Sequence, residues 1–384
     1  FLSATILFLI FISHLTAQSD GIDTSGAVFV GDKPDEKKEK IISLKDDRRE
    51  VLRYGIESEV TEVISQIRQE KDESYNEELL NILKETENDT LSESIYRLLS
   101  QFEDHRAEDT AIADIEPVLN DFRYQEKRIL SAITYLGDIK SKKAADLLYD
   151  LVKKDEPSLT GRAVYNLGKI GDKSRADEFL DLYNEYQGDE SNDIAMNIIF
   201  AWGEMKYRES FDTLLEIIED SSASNSEREY AAVALGKLGD KAALDPLIQL
   251  YNEEGKNSMI RSFAISGLMY FDDSRVEDLL LQALKRDSYW KIRVTASEGL
   301  GKMKSSRAID ILDFKMRRDS EMNVKKAAAK ALGEIGKGES KKNLLDYYRN
   351  ESNSAELRLI VLDTLLKHKV GGTTEALKDV FDTH

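Results

Sequence analysis

One stretch, Arg228–Tyr251 (REYAAVALGKLGDKAALDPLIQLY), recurs in altered form through most of the chain, and that recurrence limits the fold more than any other feature. In its first half Ala231, Ala234, Leu235 and Leu238 fall at i, i+3, i+4 and i+7, one face of a helix. Gly239 ends that helix, because glycine takes the left-handed cap conformation without a Cβ clash. A second helix begins near Ala242 and carries Leu244, Leu247, Ile248 and Tyr251 at the same spacing. Pro246 is tolerated in its first turn, where an amide hydrogen has no helical partner. A hairpin of this kind is apolar on more than one side and needs a copy of itself above and below.

The copies are found by aligning on the leucine that precedes the turn glycine, Leu235 here. Its equivalents are Leu136, Leu167, Trp202, Leu268, Leu300, Leu332 and Leu365, at successive spacings of 31, 35, 33, 33, 32, 32 and 33 residues. The wording repeats too: TYLGDIKSKKA, YNLGKIGDKSRA, VALGKLGDKAA, EGLGKMKSSRA and KALGEIGKGES. The later first helices open alike, with Ile260-Arg261, Ile292-Arg293, Val324-Lys325 and Leu357-Arg358. A fixed period in the thirties with two helical segments per period predicts an all-α fold, an α-solenoid whose stability is a sum of repeat and neighbour terms.

These words resemble HEAT-like repeats, specifically the short class found in phycobilisome lyases: an apolar residue and Arg, then Ala, Leu-Gly, Ile-Gly-Asp, and a second helix opening near Ala. The resemblance covers Glu126–His384 and is weaker over Ile41–Gln125, where the glycine marks are missing. It implies a right-handed superhelix of helical hairpins with the second helices along its concave side. The fold serves mostly as a binding scaffold, so activity has to be argued from sites.

Four segments follow. Residues 1–17 open with the apolar run FLSATILFLIFI and read as a secretory signal peptide with cleavage after Ala17; retention as an anchor is the alternative. Residues 18–43, polar and interrupted by Gly21, Gly26, Gly31 and Pro34, read as a flexible linker, with regular helices starting near Leu44–Asp46. Residues 44–125 carry degenerate helical repeats, in which Phe102–Ala107 stands in for the later turns. Residues 126–384 carry the HEAT-like repeats, closed by a C-terminal cap from Leu357. The expected location is therefore exported, periplasmic or associated with the cell envelope.

The net charge of −19 disfavours nucleic acid, which needs a cationic surface against phosphate. The second helices carry acids in two columns: Asp146, Asp177, Asp212 and Asp245, and, four residues on, Asp150, Asp181 and Glu216, with Asp313 and Asp346 later. The i, i+4 spacing puts both columns on one helix face. Two readings fit: a ribbon that receives a basic segment of a protein partner, or the ordinary solvated face of helices in an acidic chain. Tyr289 and Trp290, in an inter-repeat turn, fit either an interface anchor or packing on the next helix, and Trp202 reads as core. A basic column, Arg228, Arg261, Arg293, Lys325 and Arg358, reads as a ladder of contacts between repeats, with Asp172, Asp240 and Asp273 capping helices.

Signs of catalysis are poor. The chain has no cysteine and four histidines, His14, His105, His368 and His384, which form no metal-ligand cluster. Deoxyhypusine hydroxylase, also built of HEAT-like repeats, binds iron through His-Glu pairs, and no His-Glu dipeptide occurs here. No pigment-binding motif is present. Gly168–Ser174 echoes a phosphate loop with the wrong spacing. The sequence thus predicts a protein-binding scaffold that needs no cofactor. An enzyme or enzyme-associated subunit of the HEAT-like lyase or oxidoreductase type is the alternative.

Overall fold

The computed structural model describes residues 34–120, 124–154, 156–188, 193–252 and 258–381. The expected signal peptide, most of the linker, His14 and His384 lie outside the described residues. Among those described, every regular element is a helix, and the fold is an α-solenoid. The chain divides into two compact units, one ending at Asp172 and the other beginning at Lys173.

The first unit holds α1 (Pro34–Tyr54), α2 (Glu57–Glu70), α3 (Asn76–Glu85), α4 (Asp89–Gln101), α5 (Glu108–Ile115), α6 (Glu126–Asp138), α7 (Ala145–Val152) and α8 (Pro157–Ile170). Helix α1 begins inside the stretch expected to be a linker, because Pro34 suits a first helical position and the Lys- and Glu-rich run after it favours helix. Helices α4, α6 and α8 stack side by side, and α5 and α7 pack behind them.

The second unit holds α9 (Glu178–Tyr186), α10 (Ile194–Met205), α11 (Phe211–Glu219), α12 (Asn225–Leu238), α13 (Leu244–Asn252), α14 (Ser258–Leu268), α15 (Ser274–Arg286), α16 (Trp290–Lys302), α17 (Ile309–Arg318), α18 (Met322–Ile335), α19 (Gly338–Arg349), α20 (Ala355–Lys367) and α21 (Thr373–Phe381). The even-numbered first helices α10 to α20 stack against one another, and each odd-numbered second helix from α9 to α19 packs on the first helix that follows it. All eight aligned residues, from Leu136 through Trp202 to Leu365, are fully buried. The leucine column is therefore the continuous core of each stack.

The glycine after that leucine has a different role from the expected one. Gly236 lies within α12, not in the turn, and a Cβ there would come 2.3 Å from the Gly267 carbonyl oxygen of α14. Gly203 meets the Ala234 backbone and Gly301 the Ala331 backbone in the same way, whereas Gly333 meets the side chains of Thr364 and His368. Neighbouring first helices thus touch backbone to backbone, and the Leu-Gly pair marks their crossing. The turn itself is made by the residue four positions after the leucine. Gly171, Gly239 and Gly336 take positive φ there, but so do Glu103, Lys140, Lys206, Lys304 and Lys369. A non-glycine residue accepts this at a cost of roughly 1–2 kcal/mol. Glu103 and Lys71 place the same turn in the N-terminal region, where the glycine marks are missing.

Four members of the basic column link repeats, and the fifth, Lys325, makes no side-chain hydrogen bond or ion pair among the described residues. Arg228 donates to the Ile218 carbonyl at the end of α11, and Arg358 donates to the Tyr348 carbonyl of α19. Arg261 and Arg293 instead reach carboxylates in the next turns, Asp287 and Asp319. Arg293 holds Asp319 through two bonds of 3.0 and 2.7 Å. It also donates to the Asp287 and Ser288 carbonyls. Arg128 plays this part in the first unit, gripping Asp114 and the Leu83 and Thr86 carbonyls.

Gly236→Ala, which forces two backbones apart, is expected to cost about 1–3 kcal/mol by urea unfolding. Gly338→Ala, where the new Cβ meets nothing within 4 Å, should be neutral or stabilise by up to about 1 kcal/mol. Equal effects would remove the close-approach account. Asp319→Ala leaves Arg293 buried without its carboxylate and should cost about 3–5 kcal/mol. Burial works against the charge of Asp319, yet the bonds from Arg293, the Glu321 amide and Lys315 outweigh it and hold the carboxyl below its ordinary value of 3.8. The stabilisation is therefore complete above that pH and is lost as pH falls through the lower folded value. Acid unfolding curves of the wild type and Asp319→Asn should converge at low pH.

Candidate functional site

The second helices are amphipathic, and that places the acids. In α11 Leu214, Ile217 and Ile218 are buried, while Asp212 and Glu216 stand exposed. In the first unit Leu148 and Tyr149 anchor α7, and Asp146 and Asp150 are exposed. In the second unit Asp177, Asp181, Asp245 and Asp346 are exposed as well. Asp313 differs. It is half-buried and accepts from Arg317 one turn on, at 2.9 Å. Counting fourteen residues from the aligned leucine, the position filled by Asp150, Asp181 and Glu216 falls on Phe314, so Asp313 was placed one residue out of register.

The exposed acids are not equivalent. In several repeats the acid ten residues after the leucine is met by a cation from the next turn, seven residues after its own leucine. Lys143 meets Asp109, Arg275 meets Asp245 at 2.7 Å, and Arg307 meets Asp278 at 2.8 Å. Such exposed pairs contribute only about 0–1 kcal/mol each, but they neutralise the column. The pattern fails around α9 and α11, as it does in α17, where Glu339 stands opposite Asp310. The turn position opposite Asp177 holds Glu209, and the one opposite Asp212 holds Ala242. Asp177, Asp181, Asp212 and Glu216 make no ion pair among the described residues.

Beside these acids, α9 and α11 enclose a cleft of about 350 Å³. Leu180, 43% exposed, and Ile217 give it an apolar side. Glu216, Asp220 and Glu227 give it a negative one. Two of these carboxylates are fixed by the turn into α12: Asp220 accepts from the Ser222 amide and hydroxyl, and Glu227 accepts from the Ser224 amide in a capping box. Those Ser222 bonds hold the Asp220 carboxyl below its ordinary value. Tyr183 lines the cleft with its ring against Trp202, centroids 5.5 Å apart. Burial, and then the charges of Glu227 and Asp220, push its phenol well above its ordinary value. Trp202 is fully buried, as expected of core, and its indole nitrogen has no hydrogen-bond partner. The cleft can hold an apolar stem that ends in a positive charge.

Sequence reasoning missed the cleft. Two signals were available: the Ser224-x-x-Glu227 capping box, and the replacement of Arg or Lys by Glu209 and Ala242. Tyr289 and Trp290 are half-buried at the start of α16, rings 6.5 Å apart, with the Lys291 ammonium 6.0 Å from the Trp290 ring centre. Asp240 and Asp273 cap the turns before α13 and α15. No group of three or more His, Cys, Asp or Glu among the described residues is arranged to hold a metal ion. No described helix is long and apolar enough to cross a membrane.

Stacked hairpins joined by an arginine ladder, with their polar chemistry on the second helices, define a HEAT-repeat scaffold. The chain belongs to the spirochaete HEAT repeat proteins, whose family model matches residues 52–384. A stretch of 97 residues, 24% of the chain, is 33% identical to deoxyhypusine hydroxylase of Candida albicans and spans 30% of that protein's length. Among solved structures, the complex of CpcE and CpcF of phycocyanin lyase from Nostoc sp. PCC7120 aligns at 15% identity and a TM-score of 0.42, covering 76% of this chain and 94% of that one. Human deoxyhypusine hydroxylase in complex with glycerol aligns at 16% identity and a TM-score of 0.32, covering 71% and 99%. Kap121p aligns at 12% identity and a TM-score of 0.38, covering 88% and 44%.

Proposed function

We propose that this protein is a non-catalytic binding scaffold, exported to the periplasm or cell envelope, that holds a basic segment of a protein partner on the acidic face of its second helices. One observation carries the reading: Asp177, Asp181, Asp212 and Glu216 have no counter-ion among the described residues, unlike Asp109, Asp245 and Asp278, and stand next to a cleft that is half apolar and half negative. Unpaired surface charge raises the encounter rate with an oppositely charged partner and sets its orientation. A lysine or arginine side chain suits the cleft, since its stem packs on Leu180 while its head meets Glu216 and Asp220. The same charge argues against nucleic acid as the ligand. Export rests on the apolar run at residues 1–12, and cell fractionation tests it.

The hydroxylase likeness carries no reaction to this chain. His105 and His368, the histidines among the described residues, belong to different compact units, and each is followed by a basic residue rather than by Glu.

The binding test uses a fluorescent peptide rich in lysine, arginine and leucine. Its affinity for the full chain should fall at least about tenfold when Asp177, Asp181, Asp212 and Glu216 are all changed to Lys, and should fall with rising salt. Asp245→Lys, which removes an acid already paired with Arg275, should have a much smaller effect. An affinity indifferent to the fourfold reversal ends this reading.

A further inference from the structure

The column that holds Asp150, Asp181 and Glu216 changes character along the second unit. Its next members are Gln249, Gln282 and Phe314. Phe314 is 59% exposed, whereas Phe179, Tyr183, Tyr347 and Tyr348 of other second helices are buried. A single exposed apolar residue is ordinary, but Phe314 is not alone. Helices α15 and α17 pack against each other less closely than neighbouring first helices do. The groove between them has a volume of about 830 Å³, and Leu281, Ile311 and Phe314 form its apolar floor.

The charge at this groove is opposite in sign to that of the chain. Lys285 and Arg286 in the last turn of α15 rim it and make no ion pair among the described residues. Arg307 and Lys315 rim it too, but they are already held by Glu277 with Asp278 and by Asp319. One acid, Asp310, lies at the edge. Two free cations over an apolar floor, in a chain of net charge −19, form an apolar centre with a polar rim, the anatomy of a docking surface. The volume also lies within the roughly 300–1,000 Å³ of sites that bury a ligand.

We infer that the α15–α17 groove docks an acidic amphipathic segment of a protein partner. Its apolar face lies on Phe314, Leu281 and Ile311, and its carboxylates meet Lys285 and Arg286. This is a second site, of opposite polarity to the α9–α11 cleft, and it stands whether or not that cleft binds a basic segment.

The probe is a labelled helical peptide with leucines on one face and glutamates on the other, titrated against the full chain by fluorescence anisotropy. Binding should weaken at least about tenfold in Phe314→Asp and in Lys285→Glu/Arg286→Glu. It should stay unchanged in the Asp177, Asp181, Asp212 and Glu216 reversal. Phe314 is exposed, so its variant should keep the wild-type circular dichroism and melting temperature. Lys285→Ala/Arg286→Ala removes the charge without reversing it and should give a smaller loss. Failure of the wild type to bind, binding by both groove variants as tight as that of the wild type, or preference for a lysine-faced peptide would overturn the inference. So would a concentration-dependent dimer in sedimentation that Phe314→Asp abolishes, because the occupant would then be a second copy of the chain.

Discussion

The closest approach of one repeat to the next is a contact between two helix backbones, and the rest of each stack follows from it. At Gly236 the neighbouring carbonyl of Gly267 occupies the space a Cβ would need. A larger residue would hold the first helices apart and open the column of buried leucines behind them. Close packing on the first-helix side has a geometric consequence on the other. Most of the second helices approach one another less closely, as α9 and α11 do, and as α15 and α17 do, and grooves open between them. The spacing of the surfaces that can bind a partner therefore depends on glycines that lie on the opposite side of each stack.

Electrostatics then fixes how the repeats join. Buried arginines such as Arg228 and Arg293 satisfy carbonyls and carboxylates at the ends of the preceding and following second helices. These groups would otherwise be left without partners inside the stack, and an unmade bond there costs more than a made one gains. The exposed pairs between turns and second helices belong to a different class. They are screened and contribute little stability, so a repeat can lose one without unfolding. That tolerance is what allows Glu209 and Ala242 to stand where Arg or Lys stands elsewhere.

Much of this was legible in the sequence. The leucine column, the hairpin and the solenoid follow from period and wording alone, because a buried face must repeat wherever the neighbour repeats. The arginine ladder was legible for the same reason. The turn was harder to read. Lys140, Lys206 and Lys304 adopt the conformation that glycine adopts at Gly239, so the glycine pattern under-reports a turn fixed by its surroundings. Gly236 was misread as part of that turn because the sequence does not show which glycine touches a neighbour. Asp313 was placed in the acidic column because acids are common there, and counting from the core leucine puts Phe314 in that place. The cleft was missed because it depends on charges that are absent, and composition records only those that are present.

Two departures from the repeat pattern meet in one hairpin. The hairpin of α10 and α11 carries Trp202 in place of leucine and Glu209 in place of the turn cation found at Lys143, Arg275 and Arg307. Each is unfavourable when taken alone: an indole nitrogen without a partner among the described residues, and an acid in register with Asp177. In a stack whose stability is summed over neighbours, such costs stay local and need no compensation from distant repeats. Sites where local rules are broken together are those held for a purpose other than stability. Here the exceptions converge on one face, where Trp202 supports Tyr183, Tyr183 lines the cleft, and uncompensated acids surround it. The fold supplies the regular frame, and the irregular repeat supplies the candidate for recognition.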